Sequence, residues 1–187
     1  MLGLMRSNVW LTPAAMLAGK TARYIVVLAT FRGALTLSDM EIRKTETPSR
    51  ELLTLADEVE ASVADYIGRG TCYAACDGDR IVGQYVLIHT RPFTAEIVNI
   101  AVAPDRQRQG IATALLAHAV ETARRAGFRL LEIGTGDSGF GQIALYERCG
   151  FVRCGIDEDY FRKHSPVPIF ENGVECRHMV RLRMELA

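Results

Sequence analysis

Glu96-Ile97-Val98-Asn99-Ile100-Ala101-Val102-Ala103-Pro104-Asp105-Arg106-Gln107-Arg108-Gln109-Gly110-Ile111-Ala112-Thr113 is the stretch on which the fold turns. Its first half is short, apolar and rich in β-branched residues, which reads as a buried strand. Pro104 has no N–H to give to a ladder, so the strand ends there. A basic turn follows, then Gly110, then small and apolar residues at helical spacing. Taken alone, the six residues Gln107–Ala112 could be an ordinary surface turn with solvated arginines.

A strand, a glycine-containing turn and a helix start together make an anion site. The first N–H groups of a helix lack internal partners, and the helix dipole adds partial positive charge there. Phosphate suits such an end. Gly110 lets an anion approach the backbone, and Ala112 keeps the next turn uncluttered. Here Gln107-x-x-Gly110-x-Ala112 resembles the Q/R-x-x-G-x-G/A signature of the GNAT N-acetyltransferase family. The resemblance implies that residues Gln107, Arg108, Gln109, Gly110, Ile111, Ala112 and Thr113 cradle the diphosphate of acetyl-CoA. It also implies that the backbone of Ile100, Ala101 and Val102 pairs with the pantetheine arm.

A second match lies downstream. Leu145-Tyr146-Glu147-Arg148-Cys149-Gly150-Phe151 is similar to the Leu-Tyr-x-x-x-Gly-Phe element of the same family. There the tyrosine protonates the departing thiolate, and a phenol with a reference pKa near about 10 is competent for that. The alternative for Tyr146 is a core tyrosine with its hydroxyl at the surface. Seven residues before it the family commonly has asparagine, whereas Gly139 stands here. Acetyl transfer also needs a neutral amine, so a carboxylate base is expected. Glu96 matches the base of the histone-modifying branch, and Glu132 that of the branch acting on a ribosomal-protein N-terminus. In an extended strand Glu96, Val98, Ile100 and Val102 share a face, as do Leu130, Glu132 and Gly134. Both carboxylates are therefore expected at one cleft, with Glu96 slightly favoured.

Composition sets the bounds. The chain has 187 residues, 49% hydrophobic and 24% charged, with a net charge of +0. That describes a soluble globular domain with no electrostatic case for nucleic acid or an anionic membrane. Five cysteines at irregular spacing fit reduced thiols in a cytoplasm better than disulfides, and their spacings suit zinc poorly. No metal is expected. Residues 1–39 read as an N-terminal extension, disordered or arising from a misplaced start, and 40–187 as the acetyltransferase domain.

Along that domain, Met40–Lys44 reads as the first strand and Thr47 to Tyr66 or Ile67 as one helix. Strands over Thr71–Cys76 and Arg80–Thr90 join through Asp77-Gly78-Asp79, a hairpin signal. A helix runs from Gly110 to Gly127, then come a strand Phe128–Ile133, a helix from about Gln142 to Arg148 and a late strand from Phe151 to Cys154. Asp157–Gly173 reads as a loop, whose Asp157-Glu158-Asp159 beside Tyr160-Phe161 could face a cationic amine, and Cys176–Leu186 reads as the last strand. Gly134-x-Gly136-x-x-Gly139 mimics a dinucleotide fingerprint. Too few residues follow it for the alternating units such a fold needs.

The expected fold is α+β: a mixed, mostly antiparallel sheet of six or seven strands, helices on both faces, and two central parallel strands that splay. The resemblance implies acetyl transfer from acetyl-CoA to a small-molecule or peptide amine, with neither nucleic acid nor membrane as partner and a homodimer left open. The rival from another class is a non-catalytic acyl-CoA-binding module on the same fold.

Overall fold

The computed structural model describes residues 40–171 and 173–186; the expected extension, 1–39, lies outside the described residues. Strand β1 (Met40–Thr45) leads to helices α1 (Arg50–Ala56) and α2 (Glu60–Arg69). A hairpin of β2 (Thr71–Asp77) and β3 (Arg80–Arg91) follows, then β4 (Thr94–Val102), a 3-10 turn (Pro104–Arg106) and α3 (Ile111–Arg125). The chain continues through β5 (Leu130–Gly136), α4 (Phe140–Arg148), β6 (Val152–Asp157), α5 (Tyr160–His164), β7 (Ile169–Glu171), β8 (Val174–Cys176) and β9 (Met179–Glu185). Seven strands form one sheet in the order β1-β2-β3-β4-β5-β9-β6. Only β4 and β5 run parallel in it.

Alternation along β3 and β4 divides the apolar residues between the two faces. Tyr85, Leu87, Ala95 and Ile97 join Leu115, Leu116 and Ala119 of α3 and Ile143 and Tyr146 of α4 in the main core. On the other face Val86 and Ile88 pack with Leu53 of α1 and with Val63 and Tyr66 of α2. Gln84, fully buried, ties this second layer down. Its Oε1 accepts from the Ser49 N–H and its Nε2 donates to the Ser49 carbonyl, both at 2.9 Å. Ser49 then caps α1, its Oγ accepting from Leu52 N–H at 3.4 Å.

Three of the expected elements need correction. The single helix over Thr47–Ile67 is two, because Asp57 leaves the helical conformation (φ −146°, ψ 107°) and its Oδ1 accepts from Val59 N–H at 2.9 Å. An aspartate that bonds the backbone two residues on offers an alternative to the helical ladder. The presumed loop Asp157–Gly173 holds α5 and β7, which pairs with β8 in a two-stranded ribbon. The turn between β7 and β8 contains Gly173 at φ +76°, and this hairpin also shortens the expected last strand to Met179–Glu185.

Candidate acyl-transfer site

β4 and β5 pair from Thr94↔Leu130 to Ile97↔Ile133 and part beyond that point. The cause lies in the β3–β4 register. Val86 pairs with Asn99 and Leu87 with Ile97, so Val98 is an extra residue on β4. A bulge of this kind bends its strand and sharpens the twist. It also corrects the expected shared face of Glu96, Val98, Ile100 and Val102. Val98 packs beside α2, and Asn99 donates from Nδ2 to the Leu53 carbonyl at 3.0 Å and to Tyr66 Oη at 2.8 Å. Ile100 and Val102 instead pack on the α3 side. From Val98 to Val102 the edge of β4 turned toward β5 carries no strand, so an extended ligand can lie there as a strand would.

At the end of β4 the turn is held by side chains. Gln107 Nε2 donates to the Val102 carbonyl at 3.2 Å, and Gln109 Nε2 to the Asp105 carbonyl at 3.3 Å. Asp105 meets Arg80 through two bonds of 2.8 and 2.7 Å, and Arg106 meets Asp77 at 2.7 Å, tying the turn to the β2–β3 hairpin. Arg106 is thereby neutralised rather than displayed. Arg108 (φ +61°) and Gly110 (φ +85°) then take left-handed conformations, and Gly110 caps the fifteen-residue α3. Gly110 O accepts from Ala114 N–H at 3.0 Å, which leaves the amides of Ile111, Ala112 and Thr113 as the first-turn donors of the helix. Arg108 is exposed beside them.

The two candidate bases stand abreast, Glu96 opposite Glu132 in the parallel register. Their neighbours Ile97 and Ile133 point into the main core, so both carboxylates lie on the opposite, α1–α2 face. Each has an arginine partner: Arg181 Nη1–Glu96 Oε1 is 2.7 Å and Arg91 Nη2–Glu132 Oε1 is 2.6 Å. Burial pushes the Glu96 carboxyl above its ordinary range, with Arg181 pulling it down and Glu132 pushing it up.

Tyr146 sits on α4 in the main core, 5% exposed, its ring 6.3 Å from that of Phe151. Burial raises its phenol far above the usual range, with the nearby Glu171 acting in the same direction. The group therefore stays protonated at any physiological pH. Gly139, where the resembled motif has asparagine, is forced by space. A Cβ there would lie 2.8 Å from Thr135 Oγ1 and 3.1 Å from the Gly136 carbonyl.

Of the acidic run beside Tyr160, only Asp157 joins the site, through Arg181 Nε at 2.6 Å. Asp159 pairs with Arg177, and the Glu158 carbonyl accepts from Lys163 Nζ. Sequence reasoning missed Arg181 altogether. Alternating charge on a final strand carries no signal until the register sets Arg181 opposite Gly134. Among the described residues no cluster of three or more His, Cys, Asp or Glu could hold a metal ion.

Residues 39–151 match the model of the acetyltransferase (GNAT) family. The chain is 48% identical over 136 residues to YvbK, an uncharacterized N-acetyltransferase of Bacillus subtilis (strain 168), covering 73% of this chain and 88% of the relative. A Bacillus subtilis acetyltransferase solved in complex with CoA superposes with a TM-score of 0.75 at 45% identity, over 79% of this chain and 99% of that one. A GNAT acetyltransferase from Elizabethkingia anophelis with acetyl-CoA bound gives a TM-score of 0.77 at 39% identity, over the same shares.

Proposed function

This chain belongs to the GNAT acetyltransferase family, and from that premise we propose that it moves the acetyl group of acetyl-CoA directly onto a primary amine. The diphosphate rests on the amides of the Gln107–Thr113 turn, where a left-handed Gly110 and the open first turn of α3 give backbone donors to an anion. Main-chain groups of Ile100, Ala101 and Val102 meet the pantetheine arm along the unpaired edge of β4. The thioester then lies where β4 and β5 part.

The amine nitrogen attacks the thioester carbonyl and the C–S bond breaks, with no covalent intermediate on the protein. Glu96 takes the proton from nitrogen, with Glu132 abreast of it as the second candidate. A carboxyl lifted by burial is matched to base work nearer neutrality than an exposed one. Tyr146 supplies the proton to the leaving sulfur; burial keeps its phenol protonated but also makes it a weaker acid than a free tyrosine, so the proton moves only as charge builds on sulfur. The acceptor is a small-molecule or peptide amine. The five cysteines, all free, suit a reducing cytoplasm.

One observation carries this reading: the parted strands open beside the glycine-capped helix. Calorimetry with CoA, followed by thiol release with acetyl-CoA over an amine panel, tests it. Heat with CoA and amine-dependent thiol release are expected. Folded protein that gives no heat with CoA would overturn the reading, and binding without transfer would replace it with a CoA-binding module.

A further inference from the structure

Arg181 is held more tightly than a surface charge needs. Two different nitrogens of one guanidinium meet two carboxylates from two other strands, Nη1 on Glu96 of β4 and Nε on Asp157 of β6, at 2.7 and 2.6 Å. A planar fork anchored at two points has little freedom to swing. The Tyr160 ring of α5 lies 5.5 Å from its central carbon, a cation–π distance. Opposite it in register is Gly134, where a Cβ would lie 2.5 Å from Met179 Sδ and 3.4 Å from Arg181 Nη1. That glycine keeps the corridor from β9 to β4 open.

The two glutamate–arginine pairs differ in kind. The glutamates are alike, Glu96 17% and Glu132 19% exposed, but Arg181 keeps only 28% of its side chain exposed whereas Arg91 keeps 61%. Long side chains in water hold a pair weakly, and partly withdrawn ones hold it better. Glu96 therefore has the more firmly held partner of the two.

We propose that Arg181 is a positioning residue for acetyl transfer: anchored by Asp157 and covered by Tyr160, its guanidinium fixes the direction of the Glu96 carboxylate and balances its charge. The inference rests on Glu96 as the base. The groups facing Glu96 are Arg181 of β9, Glu132 of β5 and Arg91 of β3, with Asp157 of β6 and Tyr160 of α5 behind Arg181. Of these, Arg181 makes the largest attraction, while burial and Glu132 favour the protonated acid. Taking Arg181 away leaves Glu96 protonated to higher pH, so the acidic limb of the rate profile must move upward.

The test is kcat/KM against pH for the full chain, with CoA affinity from calorimetry alongside, in Arg181→Met, Arg181→Lys, Glu96→Gln and the Glu96→Gln/Arg181→Met double variant. Arg181→Met should shift the acidic limb up by about one unit or more, the scale of losing a close opposite charge, while CoA affinity stays within about two-fold, well under the ten-fold that 1.4 kcal/mol represents. Arg181→Lys should restore most of the limb's position but not the plateau, because a point charge cannot replace the fork. In the Glu96→Gln background the second change should add nothing. If Glu96→Gln loses its limb yet Arg181→Met keeps the wild-type one, the positioning role is overturned and the base stands. If Glu96→Gln keeps full turnover and the limb, the base assignment itself fails. Should Arg181→Met not fold, Arg181→Gln, which retains a donor toward Asp157, takes its place with the same expected shift.

Discussion

Replacing Gly110 with alanine tests the diphosphate turn most sharply, because the same helix carries its own control. Gly110 precedes α3 at φ +85° and Gly127 follows it at φ +81°. A side chain at such a φ costs about 1–2 kcal/mol. In a domain of this size that corresponds to about 2–8 °C in Tm, and Gly110→Ala and Gly127→Ala should lose comparable stability. At Gly127 a Cβ meets nothing within 4 Å, so the cost there is conformational only. Their effects on ligand should differ. To escape the strain the turn before α3 must rotate toward negative φ, which swings the amides away from a bound diphosphate. Losing one charge-assisted hydrogen bond, about 1.5–3 kcal/mol, weakens CoA by roughly 10- to 150-fold. Differential scanning fluorimetry and calorimetry with CoA measure both quantities on each variant. Equal CoA affinity in the two, or a loss in Gly127→Ala as large as in Gly110→Ala, would refute the placement of the diphosphate at this turn.

Tyr146→Phe keeps the buried ring and should fold normally, yet thiol release should fall by about 10²-fold or more if the phenol is the acid; unchanged steady-state turnover with rapid quench kinetics would remove it from the mechanism. The profile of kcat/KM should rise through a limb above the ordinary carboxylate range, since burial lifts Glu96 and the base works only when deprotonated. Glu96→Gln should abolish that limb and Glu132→Gln should leave it, and the reverse result would transfer the role. Gln84→Ala breaks both bonds to Ser49, worth about 1 kcal/mol each. A fall in Tm of about 4–8 °C is expected, read by thermal melts, and no fall would mean that the α1 layer does not depend on this clamp.

Elements with strong periodicity or strong punctuation were legible in the sequence. Arg80–Thr90, the hairpin at Gly78 and the helix between Gly110 and Gly127 lie close to where they were expected. What failed did so for two local reasons, a side chain that competes with the backbone and strands too short to show a period. Asp57 broke a helix whose apolar spacing continues through the break, because periodicity counts apolar positions and not the carboxylate that accepts from Val59. The ribbon of β7 and β8 has three-residue strands, too short for a period of two to register.

The bulge at Val98 exposes a deeper limit. Alternation assigns faces correctly only while the ladder is regular, and one inserted residue inverts every assignment beyond it. Glu96 and Ile100 therefore lie on opposite faces although four residues apart in one strand. The bend that comes with this inversion is what the proposed reaction needs. In the proposed reaction the β4 segment that meets the pantetheine edge-on must turn away from β5, while the segment carrying Glu96 must stay paired with it. An unbroken strand would keep β4 alongside β5 past Ile97 and leave no opening for a thioester between them. The irregular residue, Val98, thus stands between the proposed cofactor half of the site and the proposed acid–base half. Arg181, reaching in from β9 through the gap at Gly134, pairs with Glu96, the proposed base, just before the pairing of β4 with β5 ends.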